Sequence, residues 1–275
     1  MLYRELVSDA LKKGRPLDIS PLEVELLVCR AFHLTRARLW ARRGERVSGI
    51  RRTQRFKRDL RRLLRNEPID HILGKREFFS REFSVDRRVL VPRPDTEILV
   101  AAALERLRPG DHALEIGAGS GCIAITLALE AGLSVTALEI DPRAIRILRR
   151  NVRRHGVSER IDVIRGDLFP PRGGPWQAVI SNPPYLSEAE WRELPEKIRR
   201  FEPKTALVAG ENGLEFLERL VNESPPRLTP DGWLLLETGF SQAPAVAAIM
   251  EKAGYRSIQI IRDLAGIARV VAGRL

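Results

Sequence analysis

Apolar positions in the first 70 or so residues recur at helical spacing. Leu2, Leu6, Ala10 and Leu11 mark a helix from Leu2 to Lys13 that stops at Gly14. Ser20-Pro21 supplies an N-cap followed by proline at the first helical position, opening PLEVELLVCRAFH. Thr35 caps a short turn through Leu39 and Trp40. The segment VSGIRRTQRFKRDLRRLLRN then sets Ile50, Phe56, Leu60, Leu63 and Leu64 on one side and arginines on the other, which predicts a long basic helix. Beyond it the pattern shortens. Arg76–Phe79 and Glu82–Val85 read as strands around Ser80-Arg81, so a hairpin is expected.

Pro92-Arg93-Pro94 leads into a helix that starts near Asp95-Thr96 and runs through Leu107. From Asp111 onward strand and helix patterns alternate, the signature of a parallel sheet covered on both faces. The expected order is strand 112–116, helix 120–130, strand 134–139, then a helix capped by Asp141-Pro142 and running to about His155. Strands at 161–165 and 176–181, a helix at 213–222, a strand at 232–237 and a helix at 243–253 follow. The closing strands, 257–261 and 268–272, have only a short turn between them and should pair antiparallel.

This pattern predicts an α/β protein with a Rossmann-like, mostly parallel sheet, preceded by a small all-α domain and a β-hairpin linker. The expected bounds are 1–73 for the helical domain, 74–91 for the linker and 92–275 for the α/β domain. The helical domain has no catalytic constellation of its own, so partner recognition is its natural task.

Composition narrows the setting. The 275 residues suffice for one large and one small domain. No apolar run approaches the roughly 18 residues of a membrane span. The N-terminus mixes charge into every turn and has no signal-peptide core, so a cytoplasmic, monomeric protein without membrane attachment is expected. Cys29 and Cys122 lie among apolar neighbours and match no metal spacing; they read as buried, reduced thiols. The formal net charge of +11 favours an acidic partner but says nothing about fold. His33, His71, His112 and His155 fall in no catalytic motif.

Candidate chemistry concentrates at strand ends. The run ending in Ser181 is followed by Asn182-Pro183-Pro184-Tyr185. Proline fixes its own φ and restricts the residue before it, so Asn182 and Pro183 are both held stiffly. The Asn182 side-chain oxygen and the Pro183 carbonyl are two acceptors that can converge on a planar NH2 group against the Tyr185 ring. The first strand of the alternating region ends in Gly117-Ala118-Gly119-Ser120-Gly121, where glycines allow a tight turn and close approach of a ligand to a helix start. The spacing is G-x-G-x-G, not the G-x-G-x-x-G of dinucleotide binders. Glu139 ends the next strand, where a carboxylate can accept bonds from both ribose hydroxyls. Asp167 and Leu168 end the third, where an adenine ring fits beside Leu168 with its amine near Asp167.

Together these features resemble the class I S-adenosylmethionine-dependent methyltransferases, in the branch that methylates adenine amines or glutamine amides. EPIDHILGKREFFS, VPRPDTEILV and RRFEPKTALVAGENGLEF further resemble the HemK/PrmC family, the release factor glutamine methyltransferases. The resemblance covers essentially the whole chain and thins at the N-terminus. Glu115 and Glu139 stand where aspartate is common in the family, and Leu168 where an aromatic residue is.

The resemblance implies that Gly117, Ala118, Gly119, Ser120, Gly121, Glu139, Asp167, Leu168 and Asn182 hold S-adenosylmethionine, which leaves as S-adenosylhomocysteine. It implies that Asn182, Pro183, Pro184 and Tyr185 bind the glutamine of the Gly-Gly-Gln motif in peptide chain release factors, with Asn182 and Pro183 catalytic. No metal, no dedicated general base and no stable nucleic-acid binding are expected. Arg93 and Glu202-Pro203 are candidates for shaping the substrate entrance. The same acceptors would suit a nucleic-acid adenine methyltransferase, and a ribosomal protein glutamine methyltransferase would share the chemistry. A catalytically silent protein that uses its basic helices on ribosomal partners is the remaining reading.

Overall fold

The computed structural model describes residues 1–275, which divide into two units, Met1–Lys75 and Arg76–Leu275. The first is helical: α1 (Tyr3–Gly14), α2 (Pro21–Phe32), α3 (Arg36–Ala41), α4 (Ile50–Leu63) and α5 (Ile69–Leu73). Ser20 caps α2 by accepting from Glu23 N–H at 3.2 Å, and the Glu23 carboxylate returns a bond to Ser20 N–H. Apolar faces converge on Leu6, Ala10, Val24, Leu27, Val28, Phe32, Phe56, Leu60 and Leu63. α4 is shorter than its pattern suggests, because Gly49 at φ +96° turns the chain immediately before it. Its basic face has one buried exception. Asp59 is fully enclosed and meets Arg30 at 3.3 Å and Arg58 at 3.2 Å.

The hairpin β1 (Lys75–Phe78) and β2 (Arg81–Ser84) starts at the last residue of the first unit and otherwise belongs to the second, with Phe78 and Phe83 buried in the second unit's core. Then come α6 (Thr96–Leu104), β3 (His112–Ile116), α7 (Cys122–Ala131), β4 (Ser134–Glu139), α8 (Pro142–Arg154), β5 (Ile161–Arg165) and β6 (Trp176–Ser181). They are followed by β7 (Leu186–Ser187), α9 (Glu188–Glu193), α10 (Glu196–Phe201), β8 (Val208–Gly210), α11 (Glu215–Glu223), β9 (Leu228–Glu237), α12 (Ala243–Lys252), β10 (Arg256–Arg262) and β11 (Ala268–Arg274). The seven-stranded sheet runs β10-β11-β9-β6-β3-β4-β5. Its pairs are parallel from β9 to β5 and antiparallel at β11 with β9 and β10. The expected α/β class and the antiparallel closing pair are both observed.

Two packed layers explain the near-continuous apolar strands. Leu114, Leu138, Val179 and Leu236 feed one core, Ala113, Val135, Ala137 and Ile180 the other. β7, β8, α9 and α10 were not foreseen. Neither short helix buries a residue, so there was no apolar periodicity to find. The Ser187–Glu190 capping box that opens α9 was the available local signal. Asp95 precedes α6 without a side-chain cap, and its carboxylate instead pairs with Arg269 at 2.9 Å.

Candidate active site

In an open α/β sheet a ligand crevice forms outside the carboxyl ends of the strands where strand order reverses. Here β3 leads outward to β4 on one side and meets β6 on the other. A cavity of about 300 Å³ lies at that place, lined by Ile116, Gly117, Gly119, Leu138, Glu139, Asp167, Leu168, Asn182, Pro184 and Phe216, among others. Of the candidate donor-binding residues, Gly117, Gly119, Glu139, Asp167, Leu168 and Asn182 therefore share one chamber with Pro184, whereas Ala118, Ser120 and Gly121 do not line it. A smaller adjoining recess is lined by Arg93, Thr96, Glu115, Ala118, Ser120 and Asn182.

The glycines have distinct roles. A Cβ at Gly117, φ +74°, would meet nothing within 4 Å, and one at Gly119, φ +53°, only the Gly117 carbonyl at 3.9 Å. That open room is where a ligand can lie against the backbone. A Cβ at Gly121, φ +80°, would stand 2.3 Å from Leu148 Cδ1, so this glycine serves the packing of the loop on α8. Asn151 of α8 completes the support. Its Nδ2 donates to Ser120 O at 2.8 Å and Ser84 O at 3.1 Å, while its Oδ1 accepts from Ser84 N–H at 2.8 Å.

Glu139 is buried at the end of β4, its Oε2 accepting from Gly119 N–H and its Oε1 from Asp141 N–H, both at 2.9 Å. Each oxygen keeps a second acceptor site, so these bonds aim the carboxylate without exhausting it. Glu115, wholly buried, accepts from Ala124 N–H at 2.9 Å in the first turn of α7, yet burial pushes its carboxyl up to about 8. Leu168 is buried at φ +55°, inside a tight turn closed by Phe169 N–H on Asp167 O at 2.7 Å. Backbone in that region is costly for a branched side chain, and such strain gathers at ligand clamps. Asp167 is exposed, with its carboxylate 3.8 Å from Arg219.

Asn182 follows β6 directly, and its Nδ2 donates to Thr96 Oγ1 at 3.1 Å. Pro183 is buried, and Pro184 borders the cavity. Tyr185 packs its half-buried ring into the β9-side core; its N–H donates to Leu207 O and its carbonyl accepts from Gln242 Nε2. Burial pushes its phenol up to about 12, so it stays neutral. Arg93 and Glu202 form a 2.7 Å ion pair with Glu202 buried, joining the Pro92–Pro94 segment to the end of α10. Thr96, Asn151 and Glu237 were missed in the sequence. Glu237 was the most findable, as an acid closing the apolar run Trp233-Leu234-Leu235-Leu236.

No helix is long and apolar enough to cross a membrane. A family model described as the PrmC N-terminal domain matches residues 4–74, and one described as the methyltransferase small domain matches 94–198. A methyltransferase structure from Pyrococcus furiosus shares the fold, with TM-score 0.56 and 21% identity over 79% of this chain and 98% of that one. Relatives align far more closely. The release factor glutamine methyltransferase of Nitratidesulfovibrio vulgaris is 38% identical over 94% of this chain and 89% of its own length. That of Koribacter versatilis is 36% identical over 100% and 99%. With one alignment spanning the whole chain, its helical N-terminal unit, glycine loop and Asn-Pro-Pro-Tyr edge included, the chain belongs to the release factor glutamine methyltransferase family.

Proposed function

We propose that the protein transfers a methyl group from S-adenosylmethionine to the side-chain amide nitrogen of the glutamine in the Gly-Gly-Gln motif of peptide chain release factors. The observation that carries this is the shared chamber: Gly117, Gly119 and Glu139 line it together with Asn182 and Pro184. The open backbone at Gly117 and Gly119 and the acceptor capacity of Glu139 fit a nucleoside-bearing donor, which Ala118, Ser120, Gly121, Asp167 and Leu168 would help to hold. S-adenosylmethionine supplies an electrophilic sulfonium methyl group.

The chain's own residues then act on the acceptor. An amide nitrogen is a poor nucleophile because its lone pair is delocalised into the carbonyl. Asn182 Oδ1 and the Pro183 carbonyl each take one N–H, which fixes the nitrogen's orientation and stabilises positive charge as it builds there. Tyr185 and Pro184 wall the acceptor slot. Holding the nitrogen in line removes the entropic cost of a chance encounter. With no titratable base assigned, the proton is lost to solvent after transfer. The helical unit, free of catalytic groups, serves recognition of the release factor in the cytoplasm.

The test incubates the full chain with methyl-labelled S-adenosylmethionine and either a release factor, the same factor with its Gly-Gly-Gln glutamine replaced by alanine, ribosomal proteins, or total RNA. Label is expected in the intact release factor alone. Label in RNA alone would overturn the proposal in favour of adenine methylation.

A further inference from the structure

A carboxamide can face an acceptor group with its oxygen or with its NH2, and only the oxygen receives an N–H. Asn182 comes one residue after Ser181, which stands opposite Leu236 in the parallel pair of β6 and β9; Glu237 comes one residue after Leu236. Between them sits Thr96, buried at the first position of α6. Its Oγ1 receives Asn182 Nδ2–H at 3.1 Å, and its hydroxyl lies near enough to the Glu237 side chain to hold that carboxyl's pKa down against burial. Glu237 is 2% exposed, and its Oε2 has no hydrogen-bond partner, so the Thr96 hydroxyl is a donor within reach of an unanswered buried acceptor.

The proton count along this line decides the geometry. A carboxylate only accepts, so the single Thr96 hydroxyl hydrogen goes to Glu237. What remains on Thr96 Oγ1 facing Asn182 is a lone pair, which an N–H can answer and a carbonyl oxygen cannot. The NH2 of Asn182 is thereby held inward, and Oδ1 is the end left for the acceptor. We propose that Glu237 and Thr96 are positioning residues that lock the Asn182 carboxamide with its oxygen toward the acceptor amide, an inference that rests on Asn182 acting as the acceptor clamp.

The surroundings give the device a pH dependence. Asp95 and Arg93 ahead of α6, Arg269 on β11, Tyr185 after β6 and Cys122 on α7 all act electrostatically on Glu237 or feel it. The arginines are occupied elsewhere, Arg269 by Asp95 and Asp263 and Arg93 by Glu202. Burial therefore prevails and pushes the Glu237 carboxyl up to about 7. Once protonated, Glu237 can donate to Thr96. The threonine hydrogen then turns toward Asn182 and favours the reversed amide. Turnover should rise with pH through neutrality. Tyr185 and Cys122, both pushed up to about 12, do not titrate there, whereas Glu115, at about 8, lies in the adjoining recess.

The experiment measures kcat and KM for a release factor across about pH 6 to 9, the range that brackets the carboxyl concerned. It compares the full-length protein with Thr96→Val, Thr96→Ser and Glu237→Gln. Thr96→Val keeps the shape but neither donates nor accepts. It should lose roughly 30- to 100-fold in kcat with KM within about threefold, as for loss of one oriented polar group. Thr96→Ser keeps the hydroxyl and should restore activity to within about threefold. Glu237→Gln should lose the limb near neutrality and keep any limb due to Glu115. A folded Thr96→Val with wild-type kcat, or an unchanged limb in Glu237→Gln, overturns the inference. Should Thr96→Val fail to fold, the limb in Glu237→Gln decides alone. Wild-type protein that leaves the release factor unlabelled overturns the methylation reading itself; an active wild type with indifferent variants overturns only the relay.

Discussion

At the ends of β3 and β4 the wall of the chamber is mostly backbone, whereas at the ends of β6 and β9 it is mostly side chain. On the first side Gly117 and Gly119 leave open room, and Glu139 is aimed by two peptide N–H groups. On the second side Asn182 donates to Thr96, and the proposed relay continues from Thr96 to the buried Glu237, three residues from separate parts of the chain. Each side also buries one glutamate whose carboxyl is raised, Glu115 to about 8 and Glu237 to about 7. A wall of backbone tolerates changes in nearby side chains so long as the turn forms. A wall of linked side chains can be disabled through any one link.

The largest effect should come from the acceptor side. Asn182→Ala is expected to cost about 100-fold or more in kcat, by analogy with losing one polarising group, with an unchanged melting temperature showing an intact fold. Wild-type turnover in that variant would remove the distinction between the two walls along with the mechanism. On the donor side the corresponding acid should act on stability. The folded state holds the Glu115 proton up to about pH 8, whereas the unfolded chain releases it near the ordinary carboxylate value of 4.5. Its contribution is complete below that lower value and is lost as pH rises through the upper one, on the order of a few kcal/mol. Denaturation of Glu115→Gln between pH 5 and pH 8 should show a flatter dependence than the wild type; parallel curves would mean that Glu115 titrates normally.

Asn151→Ala sharpens the backbone side, because it strands Ser84 N–H and Ser120 O in the interior. A loss of about 2 to 3 kcal/mol in urea unfolding is expected, together with weaker donor binding. The smallest effect separates the glycines. Gly117→Ala should cost only about 1 kcal/mol of stability, the strain of its positive φ, yet weaken S-adenosylmethionine binding in calorimetry by filling the open room. Gly121→Ala should reverse the emphasis, with its larger loss in stability because the added methyl meets Leu148. Equal profiles for the two would show that the loop glycines act as one unit.

The same contrast explains what could be read from the chain. Gly117 to Gly121, Glu139 and Asn182 to Tyr185 announce themselves because each is a short run at a strand end, where spacing alone implies geometry. The mostly parallel sheet and its antiparallel closing pair followed from alternating patterns and the short turn before β11. Thr96 gave no such sign, since its meaning comes from its bond to Asn182, and Glu237 was legible only as an acid at a strand end. Asn151 looked like one polar residue in a basic helix, although it is fully buried. The segment holding α9 and α10 has no buried residue in either helix to impose a period.

The Asn151 bridge has a further use, as a built-in reporter. Ser84 N–H is tied to a side chain that also holds the carbonyl of Ser120 in the glycine loop. That amide can exchange its hydrogen with solvent only when Asn151 lets go. Its exchange rate therefore reads how often the loop's support opens, from a position on the hairpin rather than in the chamber itself. Donor binding that steadies the loop would register there as slower exchange, without any label placed where the chemistry happens.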